Sequence, residues 1–444
     1  MVGNTPNILL IHCHDLGRYL GCYGQDIDTP NIDALADDGV LFENHYATAP
    51  QCSPSRGSLM TGRYPHVNGL MGLAHEDWAL HPNERTMPEY LKQSGYSTHL
   101  FGLQHITDHL DRLGYEHIHS GGNLSPAVSP AIHEINRARN IAETIDVFFE
   151  KDTFEEPFFA SIGFFETHRR QDNGLYGFTD TEYEAADPAE IEPLPYLPDE
   201  PGIREDIAAM HGMIQAIDDA VGTITIALEA AGCADETLVI FTTEHGIAFP
   251  RAKGSCYDPG IEAALVIRYP GIIDGGQRCD DLVSNVDILP TLLDLLGKAI
   301  PEEIEGQSFL PLLTEEMYYP RDNLFAEMTW HDTYNPMRAI RTDQYKYIRN
   351  FWHLPSIYLT NDVFKSKAGR EVHEQLQSGR RPYEELYDLE KDPYEQTNLV
   401  DDPQYEHVRD QLRGRLVRWM RHTSDPLLEG PVPPADYEEL LPRI

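Results

Sequence analysis

The sequence predicts an α/β protein: a mostly parallel sheet flanked by helices, followed by a smaller α+β part with a short antiparallel sheet. Three observations predict it. Apolar runs such as Asn7 to His12, Pro157 to Phe165 and Thr237 to Thr242 suit strands buried on both faces. These runs alternate with helical segments, the order expected of a parallel sheet covered on both sides. After about residue 320 the texture changes to short strands joined by tight turns, which divides the chain into a larger part, 1–322, and a smaller one, 323–444.

Taken in order, the first strand delivers His12-Cys13-His14-Asp15 to its carboxyl end, the edge of an open α/β sheet where ligands sit. Thr29 and Pro30 open a helix as cap and first-turn residue, and Val40 to Tyr46 is extended. In Gln51-Cys52-Ser53-Pro54-Ser55-Arg56, Ser53 is a good N-cap, Pro54 fits the first turn, and Gly62 can close the helix in a left-handed conformation. Cys52 then stands at the mouth of a short helix, facing free N–H groups and the positive end of the dipole, with Arg56 one turn on. A thiol so placed is expected to be reactive, and an oxyanion would be held by the same groups.

A helix from Thr86 to near Gly95 precedes a strand, Ser97 to Gly102, that leads to Gln104-His105. Helical periodicity from about 131 to 151 precedes the strand ending at Glu166-Thr167-His168-Arg169. A polar, acidic, Pro-rich insertion from about 171 to 201 is placed to border a cleft. Ile203 to Ala231, closed by Gly232, is the longest amphipathic helix, and the strand after it delivers Glu244-His245-Gly246. A loop with Lys253 and Tyr257 leads to a strand from Ala263 to Arg268. In the smaller part, Leu324 to Thr329, Met337 to Arg341 and Tyr345 to Asn350 read as antiparallel strands with a turn at Thr342-Asp343-Gln344, and a helix spans about 403 to 422. Trp330-His331-Asp332 is positioned to reach the cleft.

Any one acid or histidine beyond a strand can be a solvated loop residue. The set His14, Asp15, Cys52, His105, His168, Glu244, His245 and Lys253 is different, because these residues follow strands expected to end at one sheet edge. Such a His/Asp/Glu set has the composition of a divalent metal site beside a nucleophile.

With 73 acidic against 34 basic residues the formal charge is −39, so nucleic acid would be repelled. Charge of this size is expected of a halophilic protein, soluble in high salt and self-repelling in low salt. The amino-terminal stretch lacks a basic n-region and Ile8 to Ile11 is too short to span a membrane, so no membrane association and a cytoplasmic location are expected. Six scattered cysteines show no disulfide or zinc spacing and are expected to be free thiols, Cys52 apart.

The string Cys52-x-Pro54-Ser55-Arg56-x-Ser58-Leu59-Met60-Thr61-Gly62-Arg63 resembles the signature of the type I sulfatases, of the alkaline-phosphatase-like superfamily. The resemblance runs on through Thr243-Glu244-His245-Gly246, Lys253-x-x-x-Tyr257 and, in the C-terminal part, Met337-Arg338 and Glu385-Leu386-Tyr387-Asp388. Among branches it is nearest in motif to the heparan N-sulfatases (sulfamidases). It implies an alkaline-phosphatase-like fold and hydrolysis of a sulfate ester or N-sulfate on a sulfated small molecule or oligosaccharide. It also implies a formylglycine made from Cys52 by a formylglycine-generating enzyme, its aldehyde hydrate being the nucleophile. By the same resemblance Arg56 would stabilise the nucleophile, His105 would be the base, and His168 and Lys253 would contact the sulfate and the leaving oxygen. Asp15, the modified Cys52, Glu244 and His245 would hold one divalent metal, calcium in most of the family.

Three departures stand out: His14-Asp15 where the family has Asp-Asp, Glu244-His245 where it has Asp-Asn or Asp-His, and Leu103 where it has a lysine. Imidazole makes manganese or zinc plausible beside calcium. His14 is the candidate to compensate for the lost lysine, as a metal ligand or as a donor. A phosphodiesterase or phosphonate monoester hydrolase of the same superfamily, and a non-catalytic sulfoglycan-binding homologue, are the alternatives.

Overall fold

A computed structural model describes residues 5–119, 130–151, 154, 157–178, 182–314 and 316–436. Across the large sheet the strands lie in the order Gln277–Cys279, Val40–Phe42, Leu265–Arg268, Thr237–Thr243, Asn7–Cys13, Phe158–Gly163, Ser97–Gly102, His117–Ile118. Every pairing is parallel except those of Leu265–Arg268, which runs against both neighbours. An apolar run signals a buried strand but not its direction, which is why the reversal is invisible in the sequence.

The central strand Asn7–Cys13 is buried along its whole length, and its alternation divides the core. Leu9 and Ile11 face one side, with Ile141, Ile145, Ile207, Ile214 and Ile217 of the helices Ala138–Lys151 and Pro201–Ala230. Ile8 and Leu10 face the other, with Leu59 and Met60 of the Cys52–Thr61 helix and Ile288 and Leu292 of the Ile288–Leu295 helix. Among the described residues no helix is long and apolar enough to cross a membrane.

The C-terminal part is a four-stranded antiparallel sheet in the order Leu324–Trp330, Tyr334–Arg341, Tyr345–Asn350, Glu384–Asp388. The last strand joins the three expected from sequence. The expected turn is closed by the Thr342 N–H donating to the Tyr345 carbonyl at 2.8 Å. The Glu406–His422 helix lies against the sheet, with Trp419 stacked on Phe325 at 4.5 Å. Buried polar contacts tie this part to the first: His66 lies 2.8 Å from Glu327, Arg341 pairs with Asp258 at 3.1 Å, and Lys346 pairs with Asp258. The small hairpin of Arg170–Asp172 and Leu175–Gly177 opens the acidic insertion, of which residues 179–181 lie outside the described residues.

Candidate active site

Four neighbouring parallel strands end at one edge, and the residues just beyond them are His14-Asp15, Glu244-His245, His168 and His105. Asp15 and His105 hold positive φ, 43° and 52°, so both loops turn sharply at the residue that faces the site. Cys52 comes from a helix seated across this edge. Its Sγ lies 3.6 Å from His245 Nε2 and 4.0 Å from Asp15 Oδ1. Lys253 Nζ donates to Asp15 Oδ2 at 2.8 Å. The fold therefore gathers the residues that the sequence placed after separate strands.

The helix begins two positions earlier than its sequence indicates. Gln51 occupies the N-cap with extended backbone and Cys52 is the first helical residue. Ser53 lies inside the first turn, where its Oγ accepts the Ala74 N–H at 3.0 Å and so anchors the neighbouring loop instead of the helix end. Gly62 closes the helix at φ 67°, as expected. The expectation of a reactive thiol is corrected: burial, and next to it the Glu244 carboxylate, pushes the Cys52 thiol well up, against the pull of Lys253 and Arg56. Desolvation is the largest of these effects, and it favours the protonated thiol in the unmodified side chain.

The donors around Cys52 fit a cation. The Gly246 carbonyl can only accept, so His245 Nδ1 carries a proton in their 2.9 Å hydrogen bond, and Nε2 faces Asp15 Oδ1 at 3.2 Å and Glu244 Oε1 at 3.3 Å. Two carboxylates gathered with an imidazole nitrogen across so short a gap call for a positive charge among them. His14 Nδ1 is 2.8 Å from Glu244 Oε1, while its buried Nε2 has no hydrogen-bond partner. Burial takes the His14 pKa down to about 3, which leaves it a neutral imidazole able to ligate and ill suited to act as an imidazolium donor. One donor atom each from His14, Asp15, Cys52 and Glu244 lie within 4.8 Å of one another.

Arg56 is buried and sits on Glu244 rather than on the thiol: Nε donates to Glu244 Oε2, and Nη1 donates to His12 Nδ1. His12 is thereby fixed in one tautomer, with Nε2–H directed to Ser161 Oγ at 3.3 Å. Arg56 Nη2 is buried without a partner. This guanidinium holds Glu244 ionised, its carboxyl well below the usual range despite burial.

A cavity of about 200 Å³ opens above Cys52, lined by His75, Glu76, His105, His168, Tyr176, Lys253, His331, Asp332, Asn361 and Asp362 among others. The hairpin of the insertion contributes Tyr176, and His331-Asp332 reaches the cleft as its position suggested. His168 Nδ1–H donates to the Arg169 carbonyl at 2.8 Å, which leaves Nε2 as the nitrogen able to exchange a proton. His105 Nε2 is 3.2 Å from His75 Nδ1. Lys253 Nζ donates also to Asp362 Oδ2 at 2.9 Å. His12, His75 and Asp362 were not singled out by sequence. His12 carried a signal as the neighbour of His14 on a strand end, whereas Asp362 and His75 lie in single-turn helices too short to leave one.

Residues 6–298 match the family described as Sulfatase. The chain belongs to the sulfatase family. Residues 244–379 of this sulfatase also match the family described as N-sulphoglucosamine sulphohydrolase, C-terminal. It is 28% identical over 471 residues to N-sulphoglucosamine sulphohydrolase of Homo sapiens, an alignment covering 96% of this chain and 92% of that one. It is 29% identical over 470 residues to an ulvan-active sulfatase of Formosa agariphila, covering 95% and 75%. In fold it resembles a structure solved in complex with D-glucosamine-2-N,6-O-disulfate, with TM-score 0.72, 19% identity and coverage of 95% and 99%. The phosphonate monoester hydrolase of Agrobacterium radiobacter has the same fold, with TM-score 0.72, 23% identity and coverage of 94% and 96%. This sulfatase is accordingly an enzyme, a sulfuric ester hydrolase.

Proposed function

We propose that this sulfatase removes sulfate from an ester or N-sulfate of a carbohydrate, using a formylglycine made from Cys52 and one divalent cation. The observation that carries the reading is the placement of Cys52 Sγ against both Asp15 and His245 within a full sulfatase signature. Asp15, Glu244, His14 and His245 would hold the cation beside residue 52, calcium by resemblance, with manganese or zinc suited by the imidazoles. When present, the formylglycine hydrate supplies a nucleophilic oxygen and the cation polarises it.

The side chains around it do the rest. Lys253, held between Asp15 and Asp362, is directed at the oxygens of the sulfuryl group, where charge shifts during transfer. One ring nitrogen of His105 lies within 4.8 Å of Cys52 Sγ, close enough to take a proton from the group at that position. His168, its Nδ1–H pinned by Arg169, passes a proton at Nε2 to the departing oxygen or nitrogen. Arg56 keeps Glu244 charged and oriented, and His12 keeps Arg56 in place.

Intact mass of protein co-produced with a formylglycine-generating enzyme should fall by about 18 Da relative to unmodified chain, the signature of Cys52 conversion. The modified enzyme should hydrolyse aryl sulfates faster than aryl phosphate or phosphonate esters. Because the phosphonate monoester hydrolase shares the fold, the opposite order of rates would replace sulfate by phosphorus esters in this reading.

A further inference from the structure

Away from Cys52 the cavity is walled by Glu76, Asp332 and Asp362, and Lys253 is the one lysine or arginine among the described residues that line it. That ammonium is already engaged by Asp15 and Asp362. Among the imidazoles lining the cavity, His331 is committed to Asp332 through a 2.7 Å contact from Nδ1, and Tyr358 O–H donates to the same carboxylate. Asp362 is buried, and Asp332 is about one-third exposed at the rim. A sulfate bound at Lys253 thus points its leaving group toward carboxylates, which accept hydrogen bonds from hydroxyl and ammonium groups and repel anions. Tyr176 adds a flat face at the rim against which a sugar ring can rest.

We infer that the leaving group is a neutral or amino sugar carrying no second anionic group near the scissile sulfate. This rests on the sulfatase reading and narrows it to monosulfated saccharide ends. A second sulfate would stand opposite Glu76, Asp332 and Asp362 with no free guanidinium or ammonium among the described lining residues to receive it, in a chain whose net charge of −39 already opposes anions. At the separations such a pocket allows, unscreened like charges reduce binding by about tenfold or more.

The test uses the modified, metal-loaded enzyme on D-glucosamine 2-N-sulfate, D-glucosamine 6-O-sulfate and the 2-N,6-O-disulfate, at low and at high salt, with an aryl sulfate as reference. The monosulfate that is turned over should exceed the disulfate by about tenfold in kcat/KM, chiefly through KM. That gap should narrow with salt and in the variant Glu76→Gln/Asp332→Asn. Equal or faster hydrolysis of the disulfate at low salt overturns the inference, as does a gap unmoved by salt, a readout that needs no variant. Turnover of aryl sulfate with none of the sugars overturns the inference and spares the sulfatase reading. No turnover of any of the four sinks both.

Discussion

Lys253 Nζ lies 2.9 Å from Asp362 Oδ2, a contact between residues 109 positions apart that joins the catalytic cleft to the C-terminal part. Together with Asp15 it gives one buried ammonium two carboxylate partners. The pair holds the Asp362 carboxyl well below the usual carboxylate range and the lysine well above its own.

Asp362→Asn should therefore leave Lys253 charged but freer to move. We expect kcat/KM on an aryl sulfate to fall by about 10- to 100-fold and unfolding free energy to drop by about 1–3 kcal/mol, read by urea denaturation. Wild-type kinetics in this variant would reduce the contact to a structural tie.

Cys52→Ala should abolish hydrolysis without changing the circular dichroism spectrum, since in the proposed reaction the residue supplies the nucleophile but it provides no cap and little core volume. Residual activity above a small fraction of wild type would remove Cys52 from the mechanism.

Asp15→Asn and Glu244→Gln should each lower metal content measured by elemental analysis. Glu244→Gln should be the less stable of the two, because it also strips buried Arg56 of its carboxylate. With His14 and His245 among the donors, manganese or zinc should compete with calcium, and added metal should partly rescue His14→Ala. Full metal content in both acid variants would move the cation elsewhere.

At the far edge of the sheet, His99 is buried against His117 at 4.7 Å between ring centroids and His119 at 5.2 Å, and bonds Ser97 and His119. Burial, then the two neighbouring imidazoles, takes its pKa down to about 3. In the unfolded chain it would protonate near 6.5, so its neutral form contributes stability that is full above pH 6.5 and is lost as pH falls toward 3. His99→Phe should flatten the decline of the melting temperature between pH 7 and pH 4. An unchanged slope would exonerate this cluster.

We propose that the charge of −39 makes the fold salt-dependent, so that the urea midpoint rises steadily with KCl concentration. A midpoint as high in dilute buffer as in molar KCl would end the halophilic reading.

Much of this protein was legible because the signals were local. A run such as Leu238 to Phe241 is buried whatever surrounds it, and the glycine after Thr61 permits the left-handed turn that ends the helix. The Cys52 string and the acids and histidines beyond the strand ends are read directly from residue order, and a parallel sheet necessarily collects them at one edge. Ser53 shows where local reasoning stops: as a cap it satisfied the rule, yet its hydroxyl is taken by Ala74 from another loop.

The sequence by itself determined the buried strands, the place of Cys52 at the start of its helix and most of the acids and histidines at the sheet edge. Only the tertiary structure decided what each of them touches. Arg56 turns from the thiol to Glu244 because that carboxylate is buried 188 positions away and needs a charge, and His14 is neutral because the Glu244 carboxylate beside it only partly offsets desolvation. Asp362 and His75 sit in single-turn helices too short to show a periodicity, and their partners Lys253 and His105 are brought to them by packing between the C-terminal part, the loop after the Cys52 helix and the sheet edge. Hydrogen bonds and ion pairs act over a few ångströms, so distance in space governs them, and distance in space between remote residues is a property of the folded chain.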